Sequence, residues 1–207
     1  DDFWVGSALG KQALGFYSKA YEFALYPRRI FANPLVTVLG PAFAAVQHDR
    51  LQLSQLFYRS AYFLLRTGLW IAGAFALAMP ELVQLLIGPV WAPMLGTFRL
   101  MTVYVMLDIL LVLVHTLMLA LGQPGALQRI RIVQLGVFVP AVIVGSRLWG
   151  YNGVALAADV MLLIGAWGLV RPVRRLVDLS LLRLWGWPLV ALALAASLGL
   201  WLEHSAA

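Results

Sequence analysis

The chain has 207 residues, 62% of them hydrophobic and only 12% charged, with a net charge of +6 and a mean hydropathy of +0.87. A soluble domain is nearer half apolar and a quarter charged, so this composition excludes one and indicates a polytopic membrane protein. The basic residues are scattered among hydrophobic runs rather than gathered on one soluble face, which argues against nucleic acid as a partner. With no cysteine, there is neither a disulfide framework nor thiolate chemistry.

The chain opens on Asp1-Asp2, without Met or a basic leader, and is expected to be a piece of a longer protein. Residues 1–14 are too short to cross a bilayer and read as the end of a helix plus a turn. Gly6, Gly10 and Gly15 there suit close helix packing rather than a phosphate loop, since no strand precedes them. The run 14–47 is long and apolar, yet holds Lys19, Glu22, Arg28 and Arg29 inside its length. Pro27, Pro34 and Pro41 each remove a backbone donor and crowd the preceding turn, so the helix must kink. At about 100° per residue, Lys19, Glu22, Tyr26, Arg29, Asn33 and Thr37 fall within roughly 80° of one another, while Arg28 points nearly the opposite way. One face of this helix is therefore a polar stripe at membrane depth. Ionised groups in hydrocarbon are costly, so the stripe is expected to wall an aqueous or protein-lined cavity.

His48-Asp49-Arg50 marks a polar turn, and 52–59 is a short amphipathic approach to the next span. Residues 81–96, with Pro89 and Pro93, read as an interfacial segment that seats Trp91 at headgroup level. Gly122-Gln123-Pro124-Gly125 ends a long span. The whole chain is expected to form one all-α bundle, 1–207, of about six membrane spans after a partial first helix. They fall near 14–46, 60–79, 97–121, 132–148, 154–170 and 185–202, each close to the ~20 apolar residues a crossing needs. An open sheet cannot cross lipid, so all are helical. Arg50, Arg59, Arg129, Arg131, Arg171, Arg174, Arg175 and Arg183 flank alternate turns, and the other turns hold only Lys11, Arg99 and Arg147. That bias puts the arginine-rich turns in the cytoplasm and the end at Glu203-His204 outside.

Enzyme signatures do not emerge. His48, His115 and His204 have no metal-ligand spacing, and no nucleophile elbow, Walker loop or paired acidic motif appears, so neither catalysis, a metal nor a cofactor is expected. What remains is a set of polar groups at membrane depth. Arg59, Tyr62 and Arg66 share a face at spacings of three and four. Arg59 suits an interfacial snorkelling role; Arg66, about two turns deeper, suits either snorkelling or a cavity wall. Asp108 and His115 lie seven apart on one face with Tyr104, either as a proton-coupled pair or as buried polar groups bonding neighbouring helices. Asn152 and Asp159 form a similar pair, Asp159 being either a structural partner for an Arg or a functional carboxylate. Lys19 and Glu22, three apart, can neutralise each other. Arg29 has no acid within a turn on its face, and an unpaired guanidinium in a cavity suits a phosphate because its planar fork gives two parallel charge-assisted hydrogen bonds.

The run DDFWVGSALGKQALGFYSKAYEFALYP resembles the start of the second half of bacterial polysaccharide flippases. These are the Wzx-type O-antigen and lipopolysaccharide transporters of the multidrug/oligosaccharidyl-lipid/polysaccharide exporter superfamily. The resemblance rests on Asp2, Gly6, Leu9-Gly10, Leu14-Gly15-Phe16-Tyr17, Ala20-Tyr21 and Pro27. It continues through Pro41-Ala42-Phe43, Met79-Pro80-Glu81-Leu82-Val83, Leu86-Ile87-Gly88, Trp91 and Leu121-Gly122-Gln123-Pro124, in register over about the first 125 residues. It implies the carboxyl-side bundle of a two-bundle inner-membrane carrier, a fold like that of the multidrug exporters. Such a carrier moves undecaprenyl-diphosphate-linked oligosaccharide between leaflets by alternating access, working with membrane lipids around it and an amino-terminal bundle of the same protein. The Arg28-Arg29 pair departs from the family pattern, where small or apolar residues are usual.

On this reading a cationic cavity formed by Lys19, Arg29 and Arg66, with Glu22 and Tyr26 beside them, binds the diphosphate, and Asp108, His115 and Asp159 are the candidate ion-coupling groups. Three rivals stand beside it. A drug or cation antiporter of the same superfamily predicts a cavity dominated by carboxylates and aromatics. A non-transporting membrane subunit predicts that Arg29 and Lys19 are each held by an acid or a headgroup. A membrane glycosyltransferase or ligase needs a large external loop, and no loop here is long enough.

Overall fold

A computed structural model describes residues 1–178 together with Gly186; the expected span at 185–202, Arg183 and Glu203-His204 lie outside the described residues. Every element among them is helical. The first, Asp2–Ala8 (α1), is capped by the Asp1 carboxylate, which accepts from the Asp2 amide at 2.9 Å. Gly10, at φ +90°, turns the chain into Lys11–Ala24 (α2).

A π-helical turn, Arg28–Ala32, joins α2 to Asn33–Ala45 (α3). Pro34 explains it: the proline has no N–H to give and its ring collides with the carbonyl four residues back. The ladder widens by one residue there, the Asn33 amide donating to the Arg28 carbonyl. The extra residue of a π-bulge also rotates the downstream helix relative to an ideal one, so Asn33 and Thr37 do not continue the Lys19 face at a plain 100° step.

Asp49 starts the next helix, Arg50–Leu82 (α4), its carboxylate accepting from the amides of Leu51 and Gln52 at 2.9 and 3.0 Å. The stretch 52–59 is the first two turns of this same helix rather than a separate approach, since neither glycine nor proline interrupts the chain before Gly68. A second π turn, Val83–Ile87, and a short 3-10 turn, Pro89–Trp91, carry the chain round to Met94–Ala120 (α5). That helix is mostly apolar and its buried residues point all round, as expected of a helix surrounded by others. It is the hub: α2, α3, α4 and α6 all pack on it.

The last described helix, Pro124–Leu176 (α6), would be about 80 Å long if straight. It is not straight. Trp149 (φ −132°) and Gly150 (φ +58°, ψ −138°) leave helical geometry, and the two arms fold back on each other. Gly145 faces Gly153, the Gln134 amide donates to the Met161 carbonyl at 3.0 Å, and Ile130 lies against Gly168. These pairs progress in opposite directions from residue 149, which defines an antiparallel hairpin.

The bundle has two distinct ends. At one, Arg50 bonds Asp178 at 2.9 Å and the Ser54 hydroxyl accepts from the Asp178 amide at 3.1 Å, tying the start of α4 to the end of α6. At the other, Phe16 meets Trp91 edge-on with ring centroids 5.8 Å apart, Tyr151 donates to the Pro93 carbonyl at 3.3 Å, and Thr97 donates to the Asn152 side chain at 2.6 Å. Among the described residues, α4, α5 and α6 are long and apolar enough to cross a membrane.

Candidate functional site

A cleft of about 440 Å³ with a polar lining lies between the π turn after α2, the middle of α5 and both arms of α6. Arg28, Tyr104, Asp108, His115, Arg131 and Gln134 supply its polar lining; the rest is aliphatic and Met161. Arg28 crosses from the kinked helix to form an ion pair with Asp108 through Nη1 and Oδ2. Asp108 is buried, and Arg28 Nε is sealed from solvent with no hydrogen-bond partner among the described residues. Burying one charge alone is expensive, and pairing offsets that cost only with good geometry and further hydrogen bonds. This pair therefore holds the kink against the hub at a place where neither charge could stand by itself.

Asp108 and His115 do share the cleft, with Tyr104 beside them. The partner of Asp108 is not evident from periodicity, because Arg28 faces away from the polar stripe. That same inward direction is the available signal: a cation turned into an apolar bundle needs a buried carboxylate, and Asp108 lies halfway along the apolar α5. Arg131 and Gln134 are likewise absent from the expected site, Arg131 counting in the sequence only toward orientation. Arg131 makes no ion pair among the described residues.

The other candidates are spread over the bundle surface or lie apart from this cleft. Lys19 and Glu22 bond each other at 2.7 Å on the exposed face of α2, so much of that local charge is cancelled. Tyr26 packs edge-on against Phe23 and Phe75. Arg29 is exposed, with no ion pair among the described residues. Arg66 is exposed too, its guanidinium 4.0 Å from the centre of the Tyr62 ring, one turn back on α4. The structure does not bring Lys19, Arg29 and Arg66 to the Arg28–Asp108 cleft. Asp159 is buried on the second arm of α6, outside the lining of the cleft, and its Oδ1 has no hydrogen-bond partner among the described residues. No group of three or more His, Cys, Asp or Glu that could hold a metal occurs among the described residues.

Comparison with known proteins agrees with the resemblance. A family model described as polysaccharide biosynthesis protein matches residues 1–96. The chain is 32% identical to the amylovoran biosynthesis protein AmsL of Erwinia amylovora over 89 residues, covering 43% of this chain and 23% of that protein. It is 26% identical to the lipopolysaccharide biosynthesis protein WzxC of Escherichia coli K12 over 149 residues, covering 72% of this chain and 30% of that protein. The chain thus spans about a quarter to a third of these relatives' length. No solved structure matches.

Proposed function

From this similarity to proteins of polysaccharide and lipopolysaccharide biosynthesis, together with helices able to cross a membrane, we propose that the chain is the carboxyl-side bundle of a flippase. The whole protein would move a diphosphate-linked oligosaccharide on a polyprenyl carrier across the bacterial inner membrane by alternating access. The observation that carries this reading beyond the family match is the cleft: two guanidinium groups and one carboxylate line a cavity inside an otherwise apolar bundle. Charge at that depth is costly, so a protein that retains it is expected to use it, and an excess of cation suits an anionic headgroup.

The physical task fits the layout. A diphosphate cannot cross hydrocarbon without an electrostatic partner to replace water. A helical carrier supplies one by holding the charge at a fixed site and rocking its bundles about it, the lipid tail staying in the bilayer. The two ends of the bundle differ in charge as such a topology requires. Arg50, Arg129, Arg171, Arg174 and Arg175 lie near the end where Arg50 meets Asp178, the cytoplasmic end on the positive-inside rule. The turns of the hairpin give α6 two crossings rather than one, and the kinked α2–α3 run adds another. Arg29 and Arg66, exposed on this bundle, are available to face a second bundle across a central cavity. Asp108, His115 and Asp159 stand as candidate coupling groups.

Two of the rivals make contrasting demands. A drug or cation antiporter calls for a cavity rich in carboxylates, and the cleft has one carboxylate against two arginines. A non-transporting subunit calls for Lys19 and Arg29 each to be held by an acid or a lipid headgroup. Lys19 meets that demand through Glu22, whereas Arg29 has no acidic partner among the described residues and would need a headgroup.

The test is genetic and chemical. In the full-length protein, Arg29→Ala and Arg66→Ala are made singly and together, with protein level controlled. Surface polysaccharide and lipid-linked oligosaccharide in the cytoplasmic leaflet are then measured. Loss of surface polymer with accumulation inside is the expected result. Full export in all three variants removes Arg29 and Arg66 from the translocation path, and full export after deletion of the gene removes the flippase reading itself.

A further inference from the structure

The position of the Arg28–Asp108 pair says more than that the cleft is charged. Asp108 lies about 21 Å from the first residue of α5 and about 18 Å from the last, at 1.5 Å per residue, so the pair sits near mid-membrane. His115 on α5 and Arg131 on α6 line the same cleft closer to the arginine-rich end. The polar lining therefore runs as a track from that end to the buried pair. Along it, Gln134 is already committed, its amide donating to the Met161 carbonyl at 3.0 Å. Arg131 has no ion-pair partner among the described residues, and Arg28 keeps a sealed, unbonded Nε. Two guanidinium groups thus line a cleft that holds one carboxylate, and only Arg28 pairs with it. The volume of about 440 Å³ falls in the range usual for small-ligand sites, roughly 300–1,000 Å³.

We propose that this cleft is a phosphoryl-anion site in which Asp108 is an internal competitor: an anion entering from the arginine-rich end pairs with Arg131 and draws Arg28 away from Asp108. The choice of a lipid-borne phosphate as the anion rests on the flippase reading; the site itself rests on the geometry. Guanidinium forks match phosphate oxygens two at a time, and the unbonded Nε gives Arg28 a donor that Asp108 does not use. When no anion is bound, the carboxylate keeps Arg28 from standing unpaired at mid-membrane, where a lone charge is costly. A diphosphate diester carries two negative charges, so binding it takes the cleft from one excess positive charge to one excess negative charge. Removing the Asp108 charge then brings the loaded cleft to neutrality. Affinity for the anion should rise when Asp108 is neutralised, the opposite of what a merely structural ion pair predicts.

The test uses the full-length protein in phosphatidylcholine nanodiscs, titrated with a short-chain polyprenyl diphosphate sugar, a diester, and, separately, with phosphatidylglycerol. Binding is followed by tryptophan fluorescence. Arg131→Gln should weaken binding at least tenfold, and Asp108→Asn should tighten it several-fold. Because Arg28→Gln alone would strand a buried carboxylate, Arg28 is tested as the double variant Arg28→Gln/Asp108→Asn. That variant removes both charges, should keep the wild-type unfolding temperature, and should bind at least tenfold more weakly. This pattern with the prenyl diphosphate alone supports a substrate site, and the pattern with phosphatidylglycerol as well supports a general site for lipid phosphates. Weaker or unchanged binding in Asp108→Asn, or wild-type binding in the double variant, overturns the proposal. Export is scored in parallel: normal export by variants that have lost binding refutes this site and leaves the flippase reading standing, whereas normal export after gene deletion refutes that reading alone.

Discussion

The α6 hairpin makes the sharpest structural prediction, because its arms touch backbone to backbone. A Cβ built on Gly153 would lie 1.9 Å from the Gly145 carbonyl oxygen, and one on Gly145 would lie 2.6 Å from the Gly153 carbonyl oxygen. Ordinary contact begins near 3.4 Å, so Gly153→Ala requires the arms to part by about 1.5 Å or one of them to shift. No flexible side chain can absorb this, since the obstructing atoms are main chain. Overpacking a well-packed interior typically costs about 1–3 kcal/mol, and a clash with rigid backbone belongs at the top of that range. Against it stands a gain of about 0.5–1 kcal/mol for replacing glycine by alanine within a helix. The net expectation is a loss of roughly 2 kcal/mol. Gly136, on the first arm of the same hairpin, is the control: nothing lies within 4 Å of its Cβ position, so Gly136→Ala should be neutral or slightly stabilising. The assay is thermal unfolding of the purified full-length protein in detergent, the two variants side by side. An unfolding temperature for Gly153→Ala equal to that of Gly136→Ala would refute the close approach of the arms.

Three further outcomes rest on local geometry, each read in the same unfolding assay. Gly150→Ala places a side chain at φ +58°, ψ −138°, a region that L residues rarely adopt, and should cost about 1–3 kcal/mol. Asp49→Ala removes both bonds that cap α4 and should cost about 1 kcal/mol, with Asp49→Asn recovering most of it. Lys19→Gln, by contrast, breaks a pair between solvent-exposed side chains and should leave the unfolding temperature unchanged, because water screens such a pair; a clear drop would mean that this pair is shielded from water in the whole protein.

Some of this architecture is legible in residues 1–207 because strong local signals mark it. The Gly122-Gln123-Pro124 punctuation separates α5 from α6, and α5 ends at Ala120 just before it. The prolines in the run 14–47 announce irregular helix, and the irregularity sits at Arg28–Ala32, immediately before Pro34. The form it takes is not legible: a proline demands relief from a clash but does not state whether the relief is a bend or one extra residue in the ladder. The start of α4 shows the reverse error. Polar residues at 52–59 suggest a separate segment, but polarity does not end a helix; glycine and proline do, and none is present there.

The site is harder to read, for a reason the Arg28–Asp108 pair makes plain. Periodicity reports which residues share a face of one helix, and so finds the Lys19–Arg29 stripe and the Tyr104–Asp108–His115 face. It says nothing about pairing between helices, and 80 residues separate Arg28 from Asp108. Charge logic can bridge that gap. A residue that points away from a polar stripe, into an apolar bundle, must find its counter-ion on another helix at a matching depth. Applied to Arg28, that requirement selects Asp108, a buried acid at the midpoint of the hub helix. Applied to Asp159, equally buried and with an unbonded Oδ1 among the described residues, it selects no arginine within them. Asp159 is therefore either matched by a group outside residues 1–178 or held neutral by a proton. Asp159→Asn separates the two: a carboxyl that serves neutral tolerates the amide with little change in unfolding temperature, whereas a carboxylate matched by a cation elsewhere loses its ion pair and the protein its stability.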